Sequence, residues 1–89
     1  MQTKTITIVN KLGLHARAAA KFVQTASGFA SDITVSANNR EVSGKSIMGI
    51  MMLAAGKGKD IEITVSGADE CEAMQALEDL VNNRFGEDE

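Results

Sequence analysis

The chain reads as an α+β protein, an open-faced β-sandwich of order βαββαβα whose four-stranded antiparallel sheet is covered on one face by three helices. Three observations predict it. Three short segments alternate polar and apolar residues, the period of a half-buried strand, and a fourth short segment returns from a two-residue turn signal. Two others repeat apolar residues at helical spacing, with a third, apolar throughout, between them. The length of 89 residues allows one domain, here residues 1–89, and a core too modest for a deep catalytic cleft.

The elements follow in order. Thr5-Ile6-Thr7-Ile8 alternates, and Asn10 to Gly13 ends the strand. From Ala16 to Ser27 the residues Ala19, Phe22, Val23 and Ala26 share one helical face, while Arg17, Lys21 and Gln24 line the other. Gly28 is the expected stop, in the left-handed cap conformation that glycine adopts without strain. Asp32 to Ser36 alternates again, and Asn38-Asn39 is a two-residue hairpin turn because Asn tolerates positive φ. A return strand runs from Arg40 to Val42. Ser46 to Leu53 is a short helix with Ser46 as its N-cap, and Gly56-Lys57-Gly58 is a loop. Ile61, Ile63 and Val65 alternate with Glu62, Thr64 and Ser66 in the fourth strand. Asp69 opens the last helix, paired with Glu72 in the manner of a capping box. Ala73, Leu77, Leu80 and Val81 form its apolar face, and Gly86 is expected to close it. Sheets with one wet face carry their helices on the other.

Composition excludes several functions. Hydrophobic residues are 44% of the chain but aromatics only 3%, too few for the stacking platforms that bind single-stranded nucleic acid. Cys71 is the one cysteine, so no internal disulfide forms, and its acidic helical turn gives no sign of a reactive thiol. The N-terminus shows no leader pattern and no segment is apolar enough to span a membrane, so a cytoplasmic protein is expected. One His and one Cys cannot supply a metal ligand set, and no cofactor is expected. Up to Lys59 there are eight Lys and Arg against two acids, whereas from Asp60 onward ten acids face Arg84 alone. The basic part suits an anion, and the acidic part opposes wholesale nucleic-acid binding.

His15 is the only histidine and stands where a glycine-containing loop meets the first helix. Helix-start N–H groups lack intrahelical partners and carry the positive end of the helix dipole, so an anion beside His15 would meet them and Arg17 together. Imidazole is partly neutral near pH 7 and attacks phosphorus, and the phosphorus–nitrogen bond it forms passes its group onward readily. Arg17 offers a planar fork for phosphate oxygens. A lone histidine at a helix start also suits a simple cap or surface residue.

The second helix is more pointed. Ile47, Met48, Ile50, Met51, Met52 and Leu53 leave only Gly49 as a break, and so short a chain cannot bury a helix on all sides. Ile50 and Leu53 are assigned to the core. Ile47, Met48, Met51 and Met52 are assigned outward, where methionines make an adaptable docking surface, with Ala16 and Ala20 of the first helix beside them.

Gly13-Leu14-His15-Ala16-Arg17 with Ala19 resembles the active-site motif of the HPr family, the histidine phosphocarriers of the bacterial sugar phosphotransferase system. Gly44-Lys45-Ser46-Ile47-Met48 resembles the family's second signature, at the family's spacing, and the likeness covers essentially the whole chain. The resemblance implies a carrier and not an enzyme, itself the covalent phospho-intermediate. His15 would take the phosphoryl group on Nδ1 from phosphorylated enzyme I and give it to an enzyme IIA domain, with Arg17 stabilising the phosphate. Ser46 would be a regulatory site for an HPr kinase/phosphorylase in bacteria that carry one, where phosphate inside the docking patch weakens enzyme I binding. Read alone, Ser46 is an N-cap. No nucleic acid or membrane insertion is implied, and a monomer is expected. Most members follow the arginine with proline, whereas this chain has Ala18 and no proline at all.

Two alternatives remain at this point: a regulatory carrier of the nitrogen-related branch, which the Ser46 signature disfavours, and a small acyl-phosphate hydrolase, for which no second donor set is visible. Met74 reads as packing, and Glu87, Asp88 and Glu89 as a solvated tail.

Overall fold

The computed structural model describes residues 1–88. The elements are β1 (Gln2–Thr7), α1 (Ala16–Ser27), β2 (Asp32–Ala37), β3 (Arg40–Ser43), α2 (Ile47–Met52), β4 (Asp60–Ser66) and α3 (Glu70–Asn82), followed by a 3-10 turn at Arg84–Gly86. This is the βαββαβα order the sequence predicts. The strands lie in the order β1-β4-β2-β3, every pair antiparallel.

Alternation explains the register. Ile6 faces Ile61 across the β1–β4 pair, and Val65 and Ile63 of β4 face Ile33 and Val35 of β2, so one face collects branched apolar side chains. All six are buried. The other face carries Thr3, Thr5, Thr34, Ser36, Glu41, Glu62 and Thr64. The Thr3 and Thr64 hydroxyls lie 3.2 Å apart, and Thr7 Oγ1 donates to Asp60 at 2.6 Å. Phe22 of α1, Ile50 of α2 and Leu77 of α3 sit in the same core. Burying a side chain of that size is worth about 1.5–3 kcal/mol, which makes the sheet–helix contact the main support of the fold. Asn38 and Asn39 both take positive φ, +53° and +65°, as the hairpin requires.

Four local expectations are corrected. Gly28 has φ −76° and ψ −5°, a right-handed conformation. The last turn of α1 tightens to i→i+3 bonds instead, Gly28 N–H to Thr25 O and Phe29 N–H to Ala26 O, both at 3.2 Å, so no left-handed residue is needed. Asp69 makes no side-chain bond to its own helix. Its carboxylate accepts from the Ala30 and Ser31 N–H groups at 2.8 and 3.0 Å and from the Ser31 hydroxyl, while Glu70 accepts from the Gly67 N–H at 3.2 Å. The last helix stops at Asn82, short of Gly86, because Arg84 and Phe85 both turn left-handed (φ +55° and +54°). Buried Phe85 draws the chain there into the core. Finally, Glu87 is no solvated residue, as its contacts below show. Asp88 is exposed, and Glu89 lies outside the described residues.

Candidate functional site

His15 is the N-cap of α1, with extended backbone (φ −72°, ψ 178°). Gly13 brings it there. Its φ is +66°, and a Cβ at that position would lie 2.4 Å from Ala55 O and 2.7 Å from Gly56 Cα, so only glycine lets the loop run this close to its neighbour. Leu14 N–H then donates to Ala55 O at 2.9 Å and pins the residue before His15.

The ring uses its own helix start. Nδ1 accepts from the Arg17 N–H at 3.3 Å, and Nε2 pairs with a carboxylate oxygen of Glu87. A carboxylate can only accept, so Nε2 carries the hydrogen and Nδ1 keeps a lone pair. That lone pair points at the N-terminal end of α1, where backbone N–H groups and the helix dipole favour an anion. Arg17 is exposed, Ala16 is exposed and Ala20 is half-buried. A concave surface beside the ring is lined by Lys11, Leu12, His15, Ala16, Arg17, Gly86, Glu87 and Asp88.

Glu87 ties the C-terminal segment to this site. Its side chain is 12% exposed, against 27% for His15. Buried Asn10 donates through Nδ2 to Glu87 Oε1 at 3.0 Å and to Gly13 O at 2.9 Å. Burial pushes the Glu87 carboxyl up, but the hydrogen bonds from Asn10 and His15, with the electrostatic attraction of the His15 ring and the Arg17 guanidinium, outweigh it and hold the group below its ordinary value.

Ser46 is the N-cap of α2, and its hydroxyl accepts from the Gly49 N–H at 3.0 Å. Ile47, Met48, Met51 and Met52 are exposed, Met48 by 74%, while Ile50 and Leu53 are buried. Among the described residues no group of three or more His, Cys, Asp and Glu is placed to hold a metal ion, and no helix is long and apolar enough to cross a membrane. Ala18 is fully buried in the first turn of α1, which starts at Ala16 without a proline.

Three site residues were not legible in the sequence. Leu12 is 66% exposed beside the ring, yet it follows a strand with no periodic signal. Asn10 and Glu87 are 77 positions apart, and only the left-handed turn after α3 brings them together. A faint signal existed for Glu87, since it follows the one late glycine, at which the chain can reverse.

Comparison with known proteins agrees with this geometry. Residues 2–83 match the family pattern described as the PTS HPr component phosphorylation site. The phosphocarrier protein HPr of Neisseria meningitidis serogroup A is 61% identical over 89 residues, the whole of both chains. That of Pseudomonas aeruginosa is 53% identical, again over the whole of both. The crystal structure of HPr-C-His from Thermoanaerobacter tengcongensis superposes with a TM-score of 0.95 at 52% identity, covering 100% of each chain. Full-length likeness in sequence and fold, with a histidine capping the first helix, leads to one assignment: the chain belongs to the HPr family of phosphotransferase-system phosphocarrier proteins.

Proposed function

We propose that this chain accepts a phosphoryl group on Nδ1 of His15 from phosphorylated enzyme I and passes it to enzyme IIA domains in the cytoplasm. The observation that carries the reading is the lone pair on Nδ1, aimed at the start of α1 while Nε2 is held by Glu87. As Nδ1 attacks, the new nitrogen–phosphorus bond forms while the bond from phosphorus to the donor breaks. No proton has to leave the attacking nitrogen. The Arg17 N–H that now donates to Nδ1 is released to a phosphoryl oxygen, and the Arg17 guanidinium takes up charge spread over the equatorial oxygens. Transfer to enzyme IIA is the same step in reverse.

Leu12, Ala16, Ala20, Ile47, Met48, Met51 and Met52 supply the apolar docking surface, adaptable enough for unlike partners. A phosphate on Ser46 would suit the helix start yet place charge in that surface, weakening enzyme I binding where a kinase exists.

Phosphoenolpyruvate-dependent labelling with enzyme I tests this. Acid-labile, base-stable phosphate on the wild type and none on His15→Ala is the expected outcome. An unlabelled wild type, or label retained by His15→Ala, overturns it.

A further inference from the structure

The two nitrogens of the His15 ring, the two oxygens of Glu87 and the amide of Asn10 form one continuous chain. Asn10 Nδ2 donates to Glu87 Oε1 at 3.0 Å, Glu87 Oε2 takes the Nε2 hydrogen, and Nδ1 accepts from the Arg17 N–H at 3.3 Å. We propose that Glu87, clamped by Asn10, is a positioning residue for phosphoryl transfer, holding the ring so that the Nδ1 lone pair faces the incoming phosphorus. The proposal rests on the phosphocarrier reading and adds a part to it.

The fold invests in this contact. Arg84 and Phe85 occupy the left-handed region, unfavourable for residues with a Cβ, and that turn sends Glu87 back toward α1. Phe85 is buried, and its carbonyl accepts from Lys21 Nζ at 2.6 Å, so the turn is anchored from the core and from α1. Asn10 is itself buried, and its Oδ1 has no hydrogen-bond partner among the described residues. Turning the amide over would set that oxygen against Gly13 O and the Glu87 carboxylate, two acceptors, so the orientation is settled by chemistry. A buried carbonyl without a partner is costly, and an apolar residue would avoid the cost. What Asn10 provides is its two donated hydrogens, one to the loop carrying His15 and one to Glu87.

The chemistry uses the arrangement. Both ring nitrogens are engaged, so rotating the ring by half a turn would put carbon atoms where Glu87 and the Arg17 N–H now find nitrogen. When phosphorus bonds to Nδ1 the hydrogen stays on Nε2 and the ring becomes cationic. Glu87 faces that charge, which exists only once the new bond forms, so the stabilisation grows along the reaction. Glu87 does not touch phosphorus.

The full-length protein with 15N-labelled histidine tests this, alone and with enzyme I. The wild type is expected to show a His15 Nε2–H proton signal protected from solvent exchange, lost in Glu87→Ala. In phosphoryl acceptance, Glu87→Ala lowers kcat about tenfold while KM stays within about twofold, as expected for loss of a partner that orients a histidine. Glu87→Gln keeps an acceptor but no charge, so it keeps the proton signal and still loses rate. Asn10→Ala slows transfer in the native background but not on top of Glu87→Ala, because the two act as one unit. The proposal is overturned by an unprotected Nε2–H in the wild type, by an unchanged kcat in Glu87→Ala and Glu87→Gln, or by an effect on KM alone. A lower melting temperature with signal and kcat intact would make Glu87 a mere staple and overturn it too. An unlabelled wild type would remove the phosphocarrier reading and the proposal together, leaving the proton signal to report the ring contact.

Discussion

At Gly13 one missing Cβ decides where His15 stands. The left-handed φ of +66° and the approach to Ala55 O, 2.4 Å from an added Cβ, leave a side chain no room against rigid backbone. Gly13→Ala is therefore expected to cost about 1–3 kcal/mol, seen as a lower denaturant midpoint. An unchanged midpoint would mean that the loop yields at little cost, and His15 would not be held as described. Two residues past His15, Arg17 supplies both a backbone donor and a guanidinium. Only the second is lost in Arg17→Ala, so α1 should still form while phosphoryl acceptance from enzyme I slows about 10²-fold, the scale of one lost charge-stabilising donor. Arg17→Lys should recover part of the rate, since an ammonium restores charge without the planar fork. Initial labelling rates of the three proteins decide it.

At the scale of elements, α1 and α2 were legible for different reasons. The Ala19, Phe22 and Ala26 stripe with a polar opposite face marked α1 from Ala16 to Ser27, the limits the structure shows. In α2 the absence of periodicity was the signal, because a short all-apolar helix in a small core must leave one side outside. Ile50 and Leu53 go in, while Met48 stands 74% exposed. Met48→Glu should consequently leave the melting temperature nearly unchanged and weaken enzyme I binding by about tenfold, the loss of one moderate interface anchor. Titration calorimetry with enzyme I checks it, and unaltered affinity would take Met48 out of the docking surface. The end of α3 was not legible. A helix stop was expected at Gly86, but helix geometry cannot bury Phe85 and also reach His15, so the chain leaves the helix at Asn82.

Across the whole molecule, one contact stitches the loop after α1 to the start of α3. The Asp69 carboxyl is held below its ordinary value chiefly by the Ser31 hydroxyl, then by the Ala30 N–H. Glu70 is held low by the N-terminal amino group, 2.9 Å away, and by the Gly67 N–H. A carboxyl lowered on folding contributes stability that is present above its unfolded value and lost as pH falls through the folded one. Stability is thus expected to drop below about pH 4, where free carboxylates take up protons. Asp69→Asn should be less stable than the wild type at pH 7 and lose less on acidification. Urea midpoints at pH 7 and pH 3 test this, and equal losses in both proteins would remove Asp69 from the acid response.

Period-2 and helical patterns determined the element order, the buried face of the sheet and the place of His15 and Arg17 at a helix start, because these depend on neighbours a few positions apart. The Asn38-Asn39 turn and the Ser46 cap were legible on the same ground, since each bond closes within its own segment. Only the tertiary structure decided what Asp69 and Glu87 do. Asp69 reads locally as a cap, yet three donors on Ala30 and Ser31 outcompete its own helix. Glu87 reads locally as a solvated acid, yet the turn at Phe85 carries it to a ring 72 positions away. No local pattern records a contact of that separation, because the energy that selects it comes from burying Phe85 and closing the chain upon itself.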